Sequence, residues 1–217
     1  MDNKLFYFDD NWVNLKADSK KMRYFVITVV VFAISMFTFT RFLNFIEARP
    51  GVVLPDPILA LFTPIDLSWF TFVVMYGTVV LVIMSLFKTP MQLAFAIQTY
   101  IAMLWIRILA MYSIPLEAPA TILPLIDPMV SEFGVGQLMT KDLFFSGHTA
   151  TIFLMYLASQ KKIYKNLFLL ATIIIGLAVT IQHVHYSVDV IAAPFFAYTC
   201  YRAMFLINKK FIVGKFG

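Results

Sequence analysis

The chain has 217 residues, of which 61% are hydrophobic and 13% charged. Soluble domains carry about 45–50% apolar and about 25% charged residues, so a soluble globular protein is excluded. The long unbroken apolar runs also exclude a β-barrel, whose strands alternate with period two. The net charge of +5 is explained by lysines in short inner connections of a membrane protein and does not require a nucleic-acid partner.

Residues 1–23 are charged and aromatic. Leu5, Phe8, Trp12 and Leu15 form one apolar stripe, followed by Lys16, Lys20, Lys21 and Arg23. The pattern predicts a cytoplasmic amphipathic segment on an anionic leaflet, with a loosely ordered tail as the alternative. The first apolar run lacks a small-residue cleavage site, so it is expected to stay as a helix and not to be removed as a signal peptide. A single cysteine, Cys200, leaves no intramolecular disulfide and no zinc ribbon.

A spanning helix needs ~20 mostly apolar residues. Six stretches fit, at about 24–46, 68–87, 91–114, 143–159, 167–182 and 186–207, the fourth and fifth being short. With the N-terminus inside, the inner side holds Lys4, Lys16, Lys20, Lys21, Arg23, Lys88, Lys161, Lys162, Lys165, Arg202, Lys209, Lys210 and Lys215. Only Arg41, Arg49, Arg107 and Lys141 fall toward the outside. The positive-inside rule therefore predicts an all-α polytopic membrane protein with six transmembrane helices and both termini cytoplasmic. Residues 24–207 form the membrane domain and 208–217 a basic cytoplasmic tail.

Ionisable groups inside such spans are costly and are functional candidates. His148 lies about one and a half turns down from the outer start of the fourth span, and Arg107 about two turns below the outer end of the third. His185 and Asp189 enter from the same side at i and i+4, on one helical face. Four ionisable groups from three spans thus reach a similar depth. His183 is predicted to face away from His185, and Arg41 to snorkel to the headgroup layer. The outer connections 47–67 and 115–142 are proline-rich and acidic, with Glu47, Asp56, Asp66, Glu117, Asp127, Glu132 and Asp142. They form an acidic lid that can attract a cationic headgroup, unless they are acidic only because outer loops avoid lysine and arginine.

Three histidines can in principle hold a metal, but no further acid–histidine cluster supports one, so neither metal nor cofactor is expected. Ser146 lacks the Gly-x-Ser-x-Gly surroundings of a serine nucleophile. It is read instead as the cap of the fourth helix or as a donor to an anion, with Thr149 ambiguous in the same way. Phosphoryl transfer fits better. One imidazole, oriented by Asp189, attacks phosphorus, the other protonates the departing alkoxide, and Arg107 neutralises phosphoryl oxygens.

Asp142-Leu-Phe-Phe-Ser-Gly-His-Thr149 and His185-Tyr-Ser-Val-Asp189 resemble motifs of the sphingomyelin synthases and their relatives, within the phosphatidic acid phosphatase type 2 superfamily. Leu54-Pro55-Asp56 and the set Arg107, Met111 and Tyr112 are weaker matches to motifs of the first outer loop and third span. The resemblance covers about residues 24–207. It implies His185 as nucleophile, Asp189 as its orienting partner, and His148 as acid for a leaving diacylglycerol. A phosphohistidine would then pass the headgroup to a lipid alcohol, without metal. Arg107, Tyr112, Asp142, Ser146 and Glu117 are the expected substrate-binding residues.

The wider superfamily uses Lys-x6-Arg-Pro, Pro-Ser-Gly-His and Ser-Arg-x5-His-x3-Asp. Here the first becomes Arg107-x6-Ile114-Pro115, the second Phe145-Ser-Gly-His148, and the Ser-Arg pair is Ala178-Val179. Two of three clamping cations are missing, unless Lys141 replaces one. A phosphomonoester carries nearly two charges at neutral pH, its second pKa lying near ~6, and a diester carries one. The expected activity is headgroup transfer from a glycerophospholipid to ceramide or a diacylglycerol-like alcohol, or phospholipase-C-type cleavage when water accepts. A lipid mono- or pyrophosphate phosphatase and a non-enzymatic lipid carrier are the alternatives. The short termini suggest a bacterial inner membrane, with the site facing outward.

Overall fold

A computed structural model describes residues 11–126 and 139–215, with side chains to residue 209. Among the described residues the regular secondary structure is all helical, joined by non-helical loops with one isolated bridge between Val52 and Leu116. In chain order the helices are α1 (Trp12–Ala17), α2 (Ser19–Ala48), α3 (Ser68–Leu86), α4 (Pro90–Ser113), α5 (Gly147–Ala158), α6 (Lys162–Ile181) and α7 (Ser187–Lys215), with one 3-10 turn at Leu59–Leu61. Five of them, α2, α3, α4, α6 and α7, are long and apolar enough to cross a membrane. The molecule is consistent with a multi-pass membrane protein.

The expected fourth span is corrected. The stretch 143–159, expected as a short span, is helical only over Gly147–Ala158. Twelve residues rise about 18 Å, well short of a ~30 Å hydrocarbon core. The preceding Leu143 and Phe145 are apolar because they are buried in protein, with Phe145 stacked on Phe196 at 4.3 Å. The fifth stretch is longer than expected, since α6 begins at Lys162.

Local chemistry accounts for several ends. Asp18 caps α2 by accepting from the N–H groups of Lys20 and Lys21. Pro90 stands in the first turn of α4, where its missing N–H costs nothing. Leu15 of α1 is buried, and Trp12 Nε1 donates to the Phe87 carbonyl at 2.6 Å. The short helix therefore docks on the bundle, in place of a free amphipathic surface helix; Leu5 and Phe8 of the predicted stripe lie outside the described residues.

The core is made by α4, α5, α6 and α7 around Met103, Phe145, Leu154, Phe168, Ile175 and Ala197. Small residues bring these helices close, as membrane packing requires. A Cβ on Gly176 would come within 3.0 Å of Val190 Cγ1. On the other side of α4, Phe39 and Ile46 of α2 pack on Leu104 and Met111. Apolar side chains such as Ile34, Phe37, Val73, Ile173 and Ile191 face outward, as expected of a lipid-exposed surface.

The two outer loops are joined to each other. Val52 N–H donates to the Pro115 carbonyl and Glu117 N–H to the Val52 carbonyl, both at 3.0 Å. Gly51 permits this pairing, because a Cβ there would lie 2.6 Å from the Leu116 carbonyl carbon.

Candidate active site

The predicted residues from three helices do meet. His148 stands at the second position of α5, and His185 in the turn before α7; their ring centroids are 5.9 Å apart. On each ring Nδ1 is buried without a hydrogen-bond partner. His185 is 1% exposed and Asp189 fully buried, while His148 is half-buried. Both Arg107 and Asp142 lie within electrostatic range of His148.

His185 Nδ1 approaches Asp189 Oδ2 at 3.5 Å. The expected pairing is present, at a distance longer than a normal hydrogen bond. The same oxygen accepts from the Tyr186 N–H at 3.3 Å. Asp189 is the third residue of α7, so it also closes the start of that helix in the manner of a capping box. Oδ1 has no partner. The carbonyl of Asp189 accepts from Ser146 N–H at 3.1 Å, which ties the start of α5 to the start of α7. Ser146 caps α5, its Oγ accepting from Thr149 N–H, as its place before the helix predicts.

Arg107 is buried on α4, and its guanidinium lies flat against the start of α5. A Cβ on Gly147 would come 2.4 Å from Nη1, 2.6 Å from Cζ and 2.8 Å from Nη2. Only glycine leaves room for this approach. Its Cζ also lies 5.1 Å from the centroid of the Phe39 ring, and Nε is buried without a partner. Nη2 is bound by Asp142 Oδ1 at 2.5 Å. Asp142, an expected substrate-binding residue, is paired with the arginine.

Other groups singled out in the sequence have contacts away from the imidazole pair. Tyr112 is 58% exposed, with Arg49 over its ring, because five residues along α4 turn it about 140° away from Arg107. Glu117 is committed to the loops: it accepts from Lys141 Nζ and from Gly51 N–H, both at 2.8 Å. These bonds, with that to Lys141 first, hold its carboxyl below the usual range. Lys141, the candidate replacement for a missing clamp, is thereby paired with Glu117. The described loop acids do not form a free anionic lid. Glu47 accepts from Thr140 and Lys141, Asp66 from Ser68 N–H, and Asp56 from Ser187. Asp127 and Glu132 lie outside the described residues.

His183 is not on a helix with His185. It sits in the turn after α6 with φ 57°, and its Nδ1 is 2.5 Å from Thr121 Oγ1. Burial lowers its pKa, against the opposing charge of Asp56. With Phe62, Tyr186, Asp56 and Thr121 it lines a separate cleft of about 310 Å³ between the loops.

Residues flanking His185 anchor both loops. Tyr186 Oη accepts from Leu54 N–H at 3.1 Å and donates to the Glu117 carbonyl at 2.9 Å. Asp56 accepts from Ser187 N–H at 2.7 Å, from its hydroxyl, and from Ile58 and Leu59 N–H. Sequence reasoning singled out Asp56 within a motif but not this role. It missed Gly147 as a close-approach residue, although the Ser-Gly-His order carried the signal. Glu47 gave none.

The site thus holds two imidazoles, a carboxylate behind one, a cation beside the other, and the N-terminus of a helix. That set can bind a phosphate ester and transfer it. Among the described residues no His, Cys, Asp and Glu group is arranged to hold a metal ion. No curated protein and no solved structure matches the chain. Residues 140–207, about a third of its length, match the family model described as PAP2 superfamily C-terminal. The matched segment carries Asp142, Ser146, His148, His185 and Asp189, and it supports the phosphatidic acid phosphatase type 2 superfamily and an enzyme of lipid phosphatase or phosphotransferase type.

Proposed function

We propose that the protein transfers a phospho-headgroup from a glycerophospholipid to a lipid alcohol, ceramide or diacylglycerol-like, or to water, on the outer side of a bacterial inner membrane. The observation that carries this reading is the pair His148 and His185, 5.9 Å apart beside the buried Arg107. His185 Nε2 attacks phosphorus, and the bond from phosphorus to the diacylglycerol oxygen breaks. That oxygen takes its proton from His148. In the second half His148 accepts the proton of the incoming hydroxyl. The new oxygen bonds to phosphorus as the P–N bond breaks and returns its electron pair to His185. Arg107 and the first-turn N–H groups of α5 balance charge on the phosphoryl oxygens. Asp189 holds His185 with Nδ1 protonated, its 3.5 Å contact shortening as positive charge builds on the ring.

A diester is favoured over a monoester. Arg107 is already paired with Asp142, and Lys141 with Glu117. The positions where the superfamily pattern has Ser-Arg are Ala178 and Val179, both buried in the apolar core. No second cation has room there.

The test is a liposome assay with headgroup-labelled phosphatidylcholine, phosphatidylethanolamine and phosphatidylinositol, with and without ceramide. Diacylglycerol with a new labelled lipid, absent in His185→Ala, establishes the transferase and names its donor. Diacylglycerol with a free phospho-headgroup makes the protein a phospholipase C. Phosphate release from phosphatidic acid without diester cleavage overturns the reading in favour of a lipid phosphatase. Lipid movement that survives His148→Ala marks a carrier.

A further inference from the structure

We propose that Asp142 is a displaceable counter-anion of Arg107 that sets the charge of the phosphate ester the site accepts. The proposal rests on the phosphoryl-transfer reading above. Four observations support it.

Arg107 cannot go to the substrate. Its guanidinium is wedged between Gly147 and the Phe39 ring on a buried stretch of α4. The anion must therefore come to the guanidinium.

The ligand now on it is the more exposed member of the pair. The Asp142 side chain is 26% exposed against 5% for Arg107. Its segment is held independently of the carboxylate. Thr140 N–H and Oγ1, with Lys141 N–H, donate to Glu47, and Lys141 Nζ donates to Glu117 and to the Arg49 carbonyl. The backbone on both sides stays fixed, since Leu143 is buried. Rotation of the Asp142 side chain alone uncovers Nη2.

The other described cations assigned to the outer side have contacts of their own. Arg41 lies over Phe37, Arg49 over Tyr112 with Nη1 on the Tyr112 carbonyl, and Lys141 on Glu117.

The charge then matches a diester. Arg107 and Asp142 sum to zero, and Asp189 is a further buried acid nearby. A monoanionic phosphodiester replaces the carboxylate on the guanidinium one charge for one. A dianionic monoester brings one negative charge more than the carboxylate it displaces, and at contact distance in a partly desolvated site beside Asp142 and Asp189 that extra charge is unfavourable relative to a diester. Asp142 thus acts against the monoester through charge, without touching the reacting atoms.

The test compares Asp142→Asn with the wild type in liposomes. kcat/KM is measured for a phosphatidylcholine or phosphatidylethanolamine donor and for phosphatidic acid. The monoester-to-diester ratio should rise at least ~10-fold, because removal of one charge favours a dianion about twice as much as a monoanion. Asp142→Glu keeps the charge and should keep the wild-type ratio. Asp142→Ser carries the same prediction as the asparagine variant should the latter not fold. A fall in both substrates by one factor would mean that Asp142 merely positions Arg107, and would overturn the proposal. So would an unchanged ratio. A binding arm separates this outcome from failure of the phosphoryl-transfer reading: inorganic phosphate should raise the melting temperature of Asp142→Asn at ~10-fold lower concentration than that of the wild type, whether or not any lipid turns over. Equal phosphate sensitivity refutes the counter-anion even if transfer is real.

Discussion

Gly147→Ala isolates the arginine from the rest of the site. The added methyl would lie 2.4 Å from Arg107 Nη1, about 1 Å inside ordinary contact. The atoms it meets are the far end of a long side chain, so the backbone need not move. That end is nevertheless confined by Asp142 at 2.5 Å and by Phe39 beneath. The guanidinium must yield by about 1 Å, and a misplacement of that size can cost ~100-fold in rate, equivalent to about 2.7 kcal/mol of transition-state stabilisation. Stability should change far less. Overpacking costs ~1–3 kcal/mol in a rigid core, less against a side-chain tip, and alanine recovers up to ~1 kcal/mol of helix propensity. The assay is diacylglycerol release from labelled phospholipid, alongside melting in detergent, for wild type, Gly147→Ala, Arg107→Ala and the double variant. If the methyl acts through Arg107, it should add almost nothing once the guanidinium is gone. Full activity in the folded single variant, or the same ~100-fold loss in the Arg107→Ala background, would refute the close-approach argument.

Other outcomes follow from the same geometry. Asp189→Asn keeps an oxygen to accept from Tyr186 N–H, so the start of α7 should survive with a melting temperature near wild type, while turnover falls ~100-fold or more because the amide no longer supports positive charge on His185. Asp56→Asn should loosen the first loop by about 1 kcal/mol at neutral pH, read by melting or by proteolysis between residues 49 and 67. Burial raises the Asp56 pKa, but the bonds from Ser187, Leu59 and Ile58 outweigh it and leave it lowered. Its stabilisation is therefore complete above the ordinary carboxylate pKa near ~3.9 and lost as pH falls through the lowered value, so the gap between wild type and Asp56→Asn should close below about pH 4.

What could be read from the sequence was mainly local. His185 and Asp189 are four residues apart, Ser146 stands where a helix cap belongs, and the depth of Arg107 follows from counting turns. What could not be read was who pairs with whom across the chain. Asp142 looked like a ligand for substrate because nothing local indicates Arg107, 35 residues away. Glu117 and the other described loop acids looked like a charged lid because their partners, Lys141 Nζ for Glu117 and backbone N–H groups and hydroxyls for the rest, leave no trace in composition. Tyr112 was carried by a motif, yet its helical phase places it on the opposite side from the arginine. Hydropathy misread Leu143-Phe144-Phe145, since an apolar run has the same hydropathy whether lipid or protein covers it.

That last misreading bears on how the site exists at all. A continuous fourth span would satisfy its own backbone groups and present only side chains to the bundle. Instead the chain from 139 to 146 runs in as a non-helical segment, and three of its backbone N–H groups are met by protein. Thr140 and Lys141 N–H groups go to Glu47, and Ser146 N–H to the Asp189 carbonyl. Phe145 seals it against Phe196 from α7. The helix that follows therefore starts inside the structure, and its first turn, with Gly147 and His148, opens beside Arg107 and His185. Free N–H groups at a helix start are available to an anion only where the chain begins its helix at the site. The shortness of α5 is thus what brings an anion-binding helix end, an imidazole and a guanidinium to one depth, and the outer-loop bonds through Asp56, Tyr186 and Glu117 hold that entrance in place.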